Sequence, residues 1–514
     1  MGDPTVSRSD ARKVVSVRAL AAAVGELRAS GKTVVHCHGT FDLVHPGHIR
    51  HLQAARAQGD ALVVTVTPDA FVNKGPGRPV FNERLRAESI AALEAVELVA
   101  INEWPTAVEV IGLIRPDVYA KGADYERRED DLTGMILEEE SAVLAAGGRI
   151  HFTQDLTFSS TQLLNAHFDV FPPEAGDFLS SFRERHSADD IIQLLESLCE
   201  LDVVVVGDAI IDEYHYCRPY GMARKSSTIA AQVLRQESYL GGALAVANHL
   251  AAFCRRVCLI SCLGSLDSRE SEIRAGLKPN VEPHFVMRDD APTVIKRRYV
   301  QPFLTQKLFE VSFFTDAPLA DALGSETAAL VARHAADADL TVVADFDNGF
   351  LGPQAITALE GSARFLAVNA QSNAINLGFN DITKYARADY ACLDREEALL
   401  AVRDRFAQLD EVAERLAAHL GASLFTVTRG PEGAIVSSRE EIARVPAFST
   451  EVVDTIGAGD AFLALTSPLA FLRAEPEVIG FVGNAVGTLA VRIIGNKASV
   501  ERAPLYRLIT TLLK

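Results

Sequence analysis

The sequence predicts an α/β protein made of two doubly wound parallel-sheet domains, the second with a small β lid. Three observations lead there. Short β-branched runs alternate with stretches of helical apolar spacing, the pattern of strand–helix–strand crossovers. The chain is 514 residues long, more than one ordinary domain accommodates. The turn-rich run Asp169–Asp177, DVFPPEAGD, interrupts the alternation. These set domains at 1–170 and 186–514, with 171–185 as a linker.

In the first domain a helix is expected at about 17–30, then a buried strand over Lys32–Cys37 and a helix over Ile49–Gln58. Further strands are expected at Ala61–Val66, Leu98–Ile101, Val118–Ala120 and Arg149–Phe152. Helices fall between them at Asn82–Leu93, Thr106–Ile114 and Ser141–Ala146. The second domain opens with a helix over Ala188–Cys199 and the valine-rich strand Asp202–Gly207. Residues 214–240 and 293–314 are more strand-rich and less regular, as suits a β lid over a cleft.

Composition excludes several classes. Apolar residues make up 48% and charged residues 23% of the chain, an ordinary globular balance. The net charge of −18 argues against a nucleic-acid partner, which needs a basic surface. A membrane span is not expected, since no run of eighteen apolar residues occurs. The N-terminal MGDPTVSRSDARKVVSV lacks the apolar core of a signal peptide. Seven scattered cysteines fit a reducing cytoplasm and no disulfide framework. Cys254, Cys258 and Cys262 recur every fourth residue, but Arg256–Gly264 reads as a core strand with no histidine or further cysteine at ligand spacing, and the three read as buried structural thiols.

The most informative segment is residues 39–48, GTFDLVHPGH. A glycine turn after a buried strand leads to His45 and His48 at the start of a helix. Free N–H groups and the positive end of the helix dipole favour a triphosphate there, and two imidazoles can bond the charge developing on its α-phosphate. Lys74-Gly-Pro-Gly-Arg78-Pro and Lys121-Gly-Ala-Asp124-Tyr add cations at loop and strand ends, and Ser159-Ser160-Thr161 precedes an apolar helical run. On these stretches, residues 30–166 resemble the HxGH nucleotidyltransferases, most closely the adenylyltransferase half of bacterial bifunctional heptose-phosphate kinase/adenylyltransferases. Glycerol-phosphate cytidylyltransferases are more distant. The resemblance implies a Rossmann-like domain transferring a nucleotidyl group from ATP or CTP to a sugar or polyol phosphate. It implies that His45, His48 and Lys74 act in catalysis. Gly39, Thr40, Phe41, Arg78, Lys121, Asp124 and Ser159–Thr161 would hold the nucleotide.

Residues 451–462, EVVDTIGAGDAF, suggest a second site. Gly457, Ala458 and Gly459 can present backbone N–H groups to a migrating phosphoryl, and Asp460 can take the proton of an attacking hydroxyl. With Gly207-Asp208, Asp212, Gly241-Gly242, Asn248 and Thr428-Arg-Gly430-Pro-Glu-Gly433, this resembles the ribokinase-like PfkB sugar kinases over residues 186–514. The resemblance implies sugar contacts from Asp208, Asp212, Gly241, Gly242, Asn248 and Lys296, and an ATP site lined by Thr428, Gly430 and Gly433. It also implies a magnesium link through Glu397, by way of water.

The pattern departs from the heptose kinases at three places. Asn348 stands where a lysine is usual, Val368-Asn-Ala-Gln371 replaces an Asp-Pro-Lys stretch, and Asp394-Arg-Glu-Glu397 replaces Asn-x-x-Glu. The domain order is inverted as well. Either the acceptor differs from a heptose phosphate, or the second half is a non-catalytic sugar-binding or dimerisation module; the intact Asp460 segment favours a kinase. The expectation is a cytoplasmic, Mg2+-dependent bifunctional enzyme of nucleotide-sugar biosynthesis, homodimeric, with a CTP-dependent polyol-phosphate cytidylyltransferase as the alternative.

Overall fold

Strands whose both faces are apolar must be covered by helices on both sides, and this requirement organises the whole chain. The computed structural model describes residues 13–72, 79–122, 135–153, 173–223, 225, 227–301, 306–373, 376–449 and 452–514. The chain divides into two units, Met1–Val170 with Tyr506–Lys514, and Phe171–Leu505.

The first unit contains β1 (Val14–Val15), β2 (Val34–Gly39), β3 (Ala61–Val66), β4 (Leu98–Ile101), β5 (Val118–Gly122) and β6 (Arg149–Thr153). They form one parallel sheet in the order β1-β4-β3-β2-β5-β6. Alternate residues feed the two faces. Val35, Cys37 and Val64 pack with Leu52 and Ile90 on one side, while Val34, Val63 and Tyr119 pack with Leu20 and Ile111 on the other. The strand order reverses between β2 and β5, so the crevice at their carboxyl ends is where this architecture places a ligand. The GTFD turn leaves β2 at that point.

The second unit begins with β7 (Asp202–Gly207), β8 (Ala209–Met222), β9 (Ile229–Gly242), β10 (Arg256–Gly264) and β11 (Val281–Arg288). There follow β12 (Val294–Gln301), β13 (Gln306–Phe313), β14 (Leu340–Asp345) and β15 (Leu366–Ala370). β16 (Tyr390–Asp394), β17 (Leu424–Thr428), β18 (Ala434–Ser438) and β19 (Ile442–Val445) complete the set. A nine-stranded sheet runs β11-β10-β7-β14-β15-β16-β17-β18-β19, parallel as far as β17 and antiparallel at the last two strands. A separate four-stranded sheet, β13-β12-β8-β9, is the lid expected from the strand-rich segments.

Residues 171–185, expected as a linker, include the helix Pro173–Arg183. Its Leu179 and Phe182 are buried, and Phe182 stacks on Phe481 with ring centroids 4.5 Å apart. The turn formers mark only its entry: proline suits a first helical turn, and Phe178, Leu179 and Phe182 then share one face. No described helix is long and apolar enough to cross a membrane.

Candidate functional site

In the first unit the turn after β2 is held from below. Phe41 adopts a left-handed backbone with φ of 50°, and a Cβ at Gly39 would meet its ring at 3.1 Å, so glycine leaves room where the ring folds back. The Asp42 carboxylate accepts the backbone N–H groups of Val80 at 2.6 Å and Phe81 at 3.3 Å. Arg86 is 1% exposed and donates to the carbonyls of Thr40, Phe81 and Thr67 and to the Asp69 carboxylate. This guanidinium fork joins the backbone of the turn after β2 to the chain leaving β3.

His45 caps the helix Pro46–Arg56: its Nδ1 accepts the Gly47 N–H at 3.1 Å. An Nδ1 that accepts must be unprotonated, so the neutral ring carries its proton on Nε2. Burial lowers the pKa of His45 and favours that neutral form. The buried Nε2 has no hydrogen-bond partner among the described residues. The His45 and His48 rings stack at 4.0 Å, with Phe41 edge-on to His48 at 5.4 Å. On β2 and β3, Thr65 Oγ1 lies 2.7 Å from His36 Nε2 and 2.8 Å from His38 Nδ1, and beyond β3 Thr67 Oγ1 lies 3.2 Å from His38 Nε2. Burial, reinforced by Lys121, pushes His38 down to about 3, so this inner layer is uncharged.

Lys121, expected at the nucleotide, lies near the end of β5 and forms a 2.8 Å ion pair with Glu139. Lys74, Arg78, Asp124, Ser159, Ser160 and Thr161 lie outside the described residues.

In the second unit the expected residues gather at the carboxyl ends of the parallel strands. Asp208 follows β7, Gln371 follows β15, Asp394 ends β16 and Thr428 ends β17. Gly457 caps the helix Ala458–Phe471 with φ of 82°, placing Asp460 in its first turn. Gln371 Nε2 donates to Asp460 Oδ1 at 2.6 Å. Glu397 accepts the N–H of Ser372 at 2.8 Å and of Asp394 at 2.9 Å, and completes a capping box with Asp394. From the lid, Asp212 pairs with the buried guanidinium of Arg298 and accepts from Asn496 Nδ2 at 3.2 Å. A Cβ at Gly241 would lie 2.3 Å from Asp212 Oδ2, and one at Gly457 would lie 2.0 Å from Asn496 Oδ1. Asp212, Gly241, Asn496 and Gly457 thus form one contact group. Gly242 has φ of 58° beneath the Asp208 carbonyl. Lys296, on β12 opposite Asp212, sits over the Phe346 ring at 5.5 Å.

Four expected residues have structural roles. The Asn248 amide donates to the Gly276 carbonyl and accepts the Lys278 N–H, which makes it a brace between helix and loop. Thr428 Oγ1 donates to the Leu393 carbonyl at 3.4 Å. Gly433 takes a φ of 89°, and a Cβ there would meet the Val445 carbonyl at 2.0 Å; Gly430 also has positive φ, at 56°.

The electrostatics mark this crevice. Burial pushes the Asp460 carboxyl up to about 6, aided by Asp212 and opposed by the Gln371 hydrogen bond and by Lys296. Burial and Asp394 hold Glu397 at about 7, and burial with neighbouring Asp345 holds Asp208 at about 7. Perturbed carboxyls gathered in a cleft are the usual signature of a reactive site.

Sequence reasoning missed several members. Lys384 Nζ lies 2.7 Å from Asp345 Oδ2, and the Tyr385 hydroxyl donates to the same carboxylate at 2.6 Å. Lys384 therefore brings a cation to the turn where Asn348 replaces lysine. Asp454 accepts from Tyr214, Ile456 and Gly495 and pairs with Lys307 at 2.6 Å, fixing the loop before Gly457. Asp454 lies within the EVVDTIGAGD segment and could have been singled out there; Arg86, Arg298, Lys384 and Asn496 carry no local signal.

The fold and the two crevices define a chain joining a nucleotidyltransferase-type Rossmann domain to a ribokinase-like carbohydrate kinase domain. The profile of the pfkB family carbohydrate kinases matches residues 200–503, and the chain belongs to that family. The cytidylyltransferase-like profile matches residues 36–165. The bifunctional protein HldE of Methylobacillus flagellatus is 44% identical over 130 residues, 25% of this chain and 26% of that protein. Its counterpart from Magnetococcus marinus is 40% identical over 161 residues, 31% of each chain. The chain thus matches about a third or less of the length of these curated relatives. The crystal structure of phosphofructokinase-2 from Escherichia coli in complex with substrates and products aligns with a TM-score of 0.50 at 15% identity, covering 61% of this chain and 100% of that one, a likeness of fold.

Proposed function

We propose that this chain carries out two steps of nucleotide-sugar biosynthesis. The first unit transfers a nucleotidyl group from a nucleoside triphosphate to a sugar phosphate resembling heptose 1-phosphate. The acceptor phosphate oxygen attacks the α-phosphorus in line and pyrophosphate leaves, so the protein's work is positioning and charge stabilisation. The observation that carries this reading is the stacked His45–His48 pair at a helix N-terminus, with the buried His45 Nε2–H given no partner among the described residues. The likeness to HldE over this region supports an adenylyl or cytidylyl donor and a sugar-phosphate acceptor.

The second unit phosphorylates a sugar or sugar phosphate with ATP. Asp460 accepts the hydroxyl proton, and the N–H groups following Gly457 receive the transferred phosphoryl. Lys296 and Lys384 provide positive charge in place of the two lysines absent from the sequence pattern. Magnesium fits this crevice: each Glu397 oxygen accepts one backbone N–H and keeps a lone pair for a metal-bound water. A bound Mg2+ would neutralise triphosphate charge. The proposal includes a cytoplasmic setting, supported by seven free thiols, and a homodimer paired through the lid, whose Tyr220, Met222, Ile229 and Phe309 are exposed.

A panel of sugar and polyol phosphates crossed with the four NTPs, read by pyrophosphate release, tests the first step. His48→Ala should lower that release by about 10²–10³-fold; unchanged release would sink the assignment. One observation favours a second reading, a kinase-like domain that binds without turnover: Asp212 and Asp460 are both engaged, by Arg298 and Gln371. Sugar-dependent ADP formation that disappears in Asp460→Asn while pyrophosphate release persists would rule it out.

A further inference from the structure

Of the three cysteines spaced four apart, Cys258 and Cys262 lie on β10, and the structure brings to Cys258 the histidines that its sequence neighbourhood lacks. Cys258 on β10, His284 on β11 and His334 on the helix Asp321–Asp337 each offer a ligand atom, all within 4.8 Å of one another. β10 and β11 run in parallel register, Cys258 opposite Glu282 and Ile260 opposite His284. The period of two along each strand therefore puts Cys258, Glu282 and His284 on the face covered by that helix. The His284 and His334 rings lie 4.4 Å apart. His284 Nε2 is buried with no hydrogen-bond partner among the described residues, although Glu282 Oε1 is 3.3 Å away.

We propose that Cys258, His284 and His334 bind a borderline-soft divalent transition-metal ion, of which Zn2+ is the type. The donor set is the argument: one thiolate and two imidazoles select such ions over magnesium or calcium, which require oxygen ligands. On zinc, with Zn–S of about 2.3 Å and Zn–N of about 2.0 Å, neighbouring donor atoms stand roughly 3.5 Å apart. Closing the site therefore needs side-chain rotations of about an ångström. Glu282 is placed to orient His284 or to supply a fourth oxygen. Binding replaces the proton on Cys258 Sγ, which passes to solvent; burial holds that thiol at about 12, so the metal must displace a tightly held proton.

The site is separate from the kinase crevice. Cys258 pairs with Val204 of β7, four residues before Asp208, a distance of about 13 Å along the strand. An ion there would clamp the edge strand β11 and the covering helix onto β10, and its effect would be on stability.

The test uses the tag-free full chain, stripped with chelator and titrated with Co2+ and then Zn2+. One equivalent should bind, with a thiolate-to-cobalt charge-transfer band in the near ultraviolet that zinc displaces. The band should vanish in Cys258→Ser and persist in Cys262→Ser. His334→Gln, a change on the covering helix, should weaken binding by at least about tenfold. Absence of a stoichiometric band, its survival in Cys258→Ser, or wild-type affinity in His334→Gln would overturn the site and leave a packed cluster of core-edge side chains. None of these variants touches His48 or Asp460, so the result is independent of both proposed activities.

Discussion

Gln371 Nε2 donates to Asp460 Oδ1 across 2.6 Å, joining the residue after β15 to the first turn of the helix that Gly457 caps. The stretch that departs from the heptose-kinase pattern thus touches the proposed general base directly. A donor bonded to a carboxylate favours its ionised form, whereas burial disfavours it.

Removing that donor should therefore raise the Asp460 pKa above its value of about 6. Gln371→Ala should move the acidic limb of the kcat/KM profile for ADP formation upward by about one to two pH units, since a bond to a charged group contributes roughly 1.5–3 kcal/mol and one unit is about 1.4 kcal/mol. An unmoved limb would show that Asp460 is not the titrating base.

His45 has a structural and a chemical role that substitution can separate. Asn at an N-cap keeps the bond to the Gly47 N–H but removes the Nε2 donor. His45→Asn should melt close to the wild type while losing about 10²–10³-fold in pyrophosphate release. His45→Ala should show the same loss and a further destabilisation of about 1 kcal/mol, read by denaturant unfolding.

Arg86 should prove essential to the first unit although it was absent from the sequence reading. Arg86→Ala leaves the Thr40, Thr67 and Phe81 carbonyls without their donor and should cost about 3 kcal/mol or more in unfolding experiments. Arg86→Lys should recover only part of this, because an ammonium lacks the planar fork.

Asp208 predicts a pH-dependent stability. Its folded pKa of about 7 exceeds the ordinary 3.8, so its favourable contribution is complete below the lower value and is lost as pH rises through the higher one. Asp208→Asn should raise the Tm of the second unit at pH 8, by roughly 2–6 °C, and raise it less at pH 5. Equal shifts at the two pH values would contradict a buried titrating carboxyl.

The parallel sheets, the lid and the segments around His45 and Asp460 were legible because each depends on local pattern: β-branched runs, a glycine turn, a capped helix. What escaped was assembled from distant parts of the chain. Arg86 reads as an ordinary helix-surface arginine until its guanidinium is seen under the Thr40 turn. Lys384 and Asn496 belong to segments with no motif. His284 and His334 meet Cys258 only through strand register and helix packing. The Asp169–Asp177 run signalled a break but concealed a helix, since turn formers mark an entry as readily as an interruption.

The Asn496 side chain faces Gly457 with its oxygen and Asp212 Oδ2 with its nitrogen, while Gly241 abuts that same Asp212 oxygen. Groups in such contact do not respond independently to substitution. Gly457→Ala in an Asn496→Ala background should cost less than the sum of the two single changes. Across diverging descendants of this gene, positions 212, 241, 457 and 496 would then drift as a linked set, and a shift in acceptor preference would have to cross that constraint.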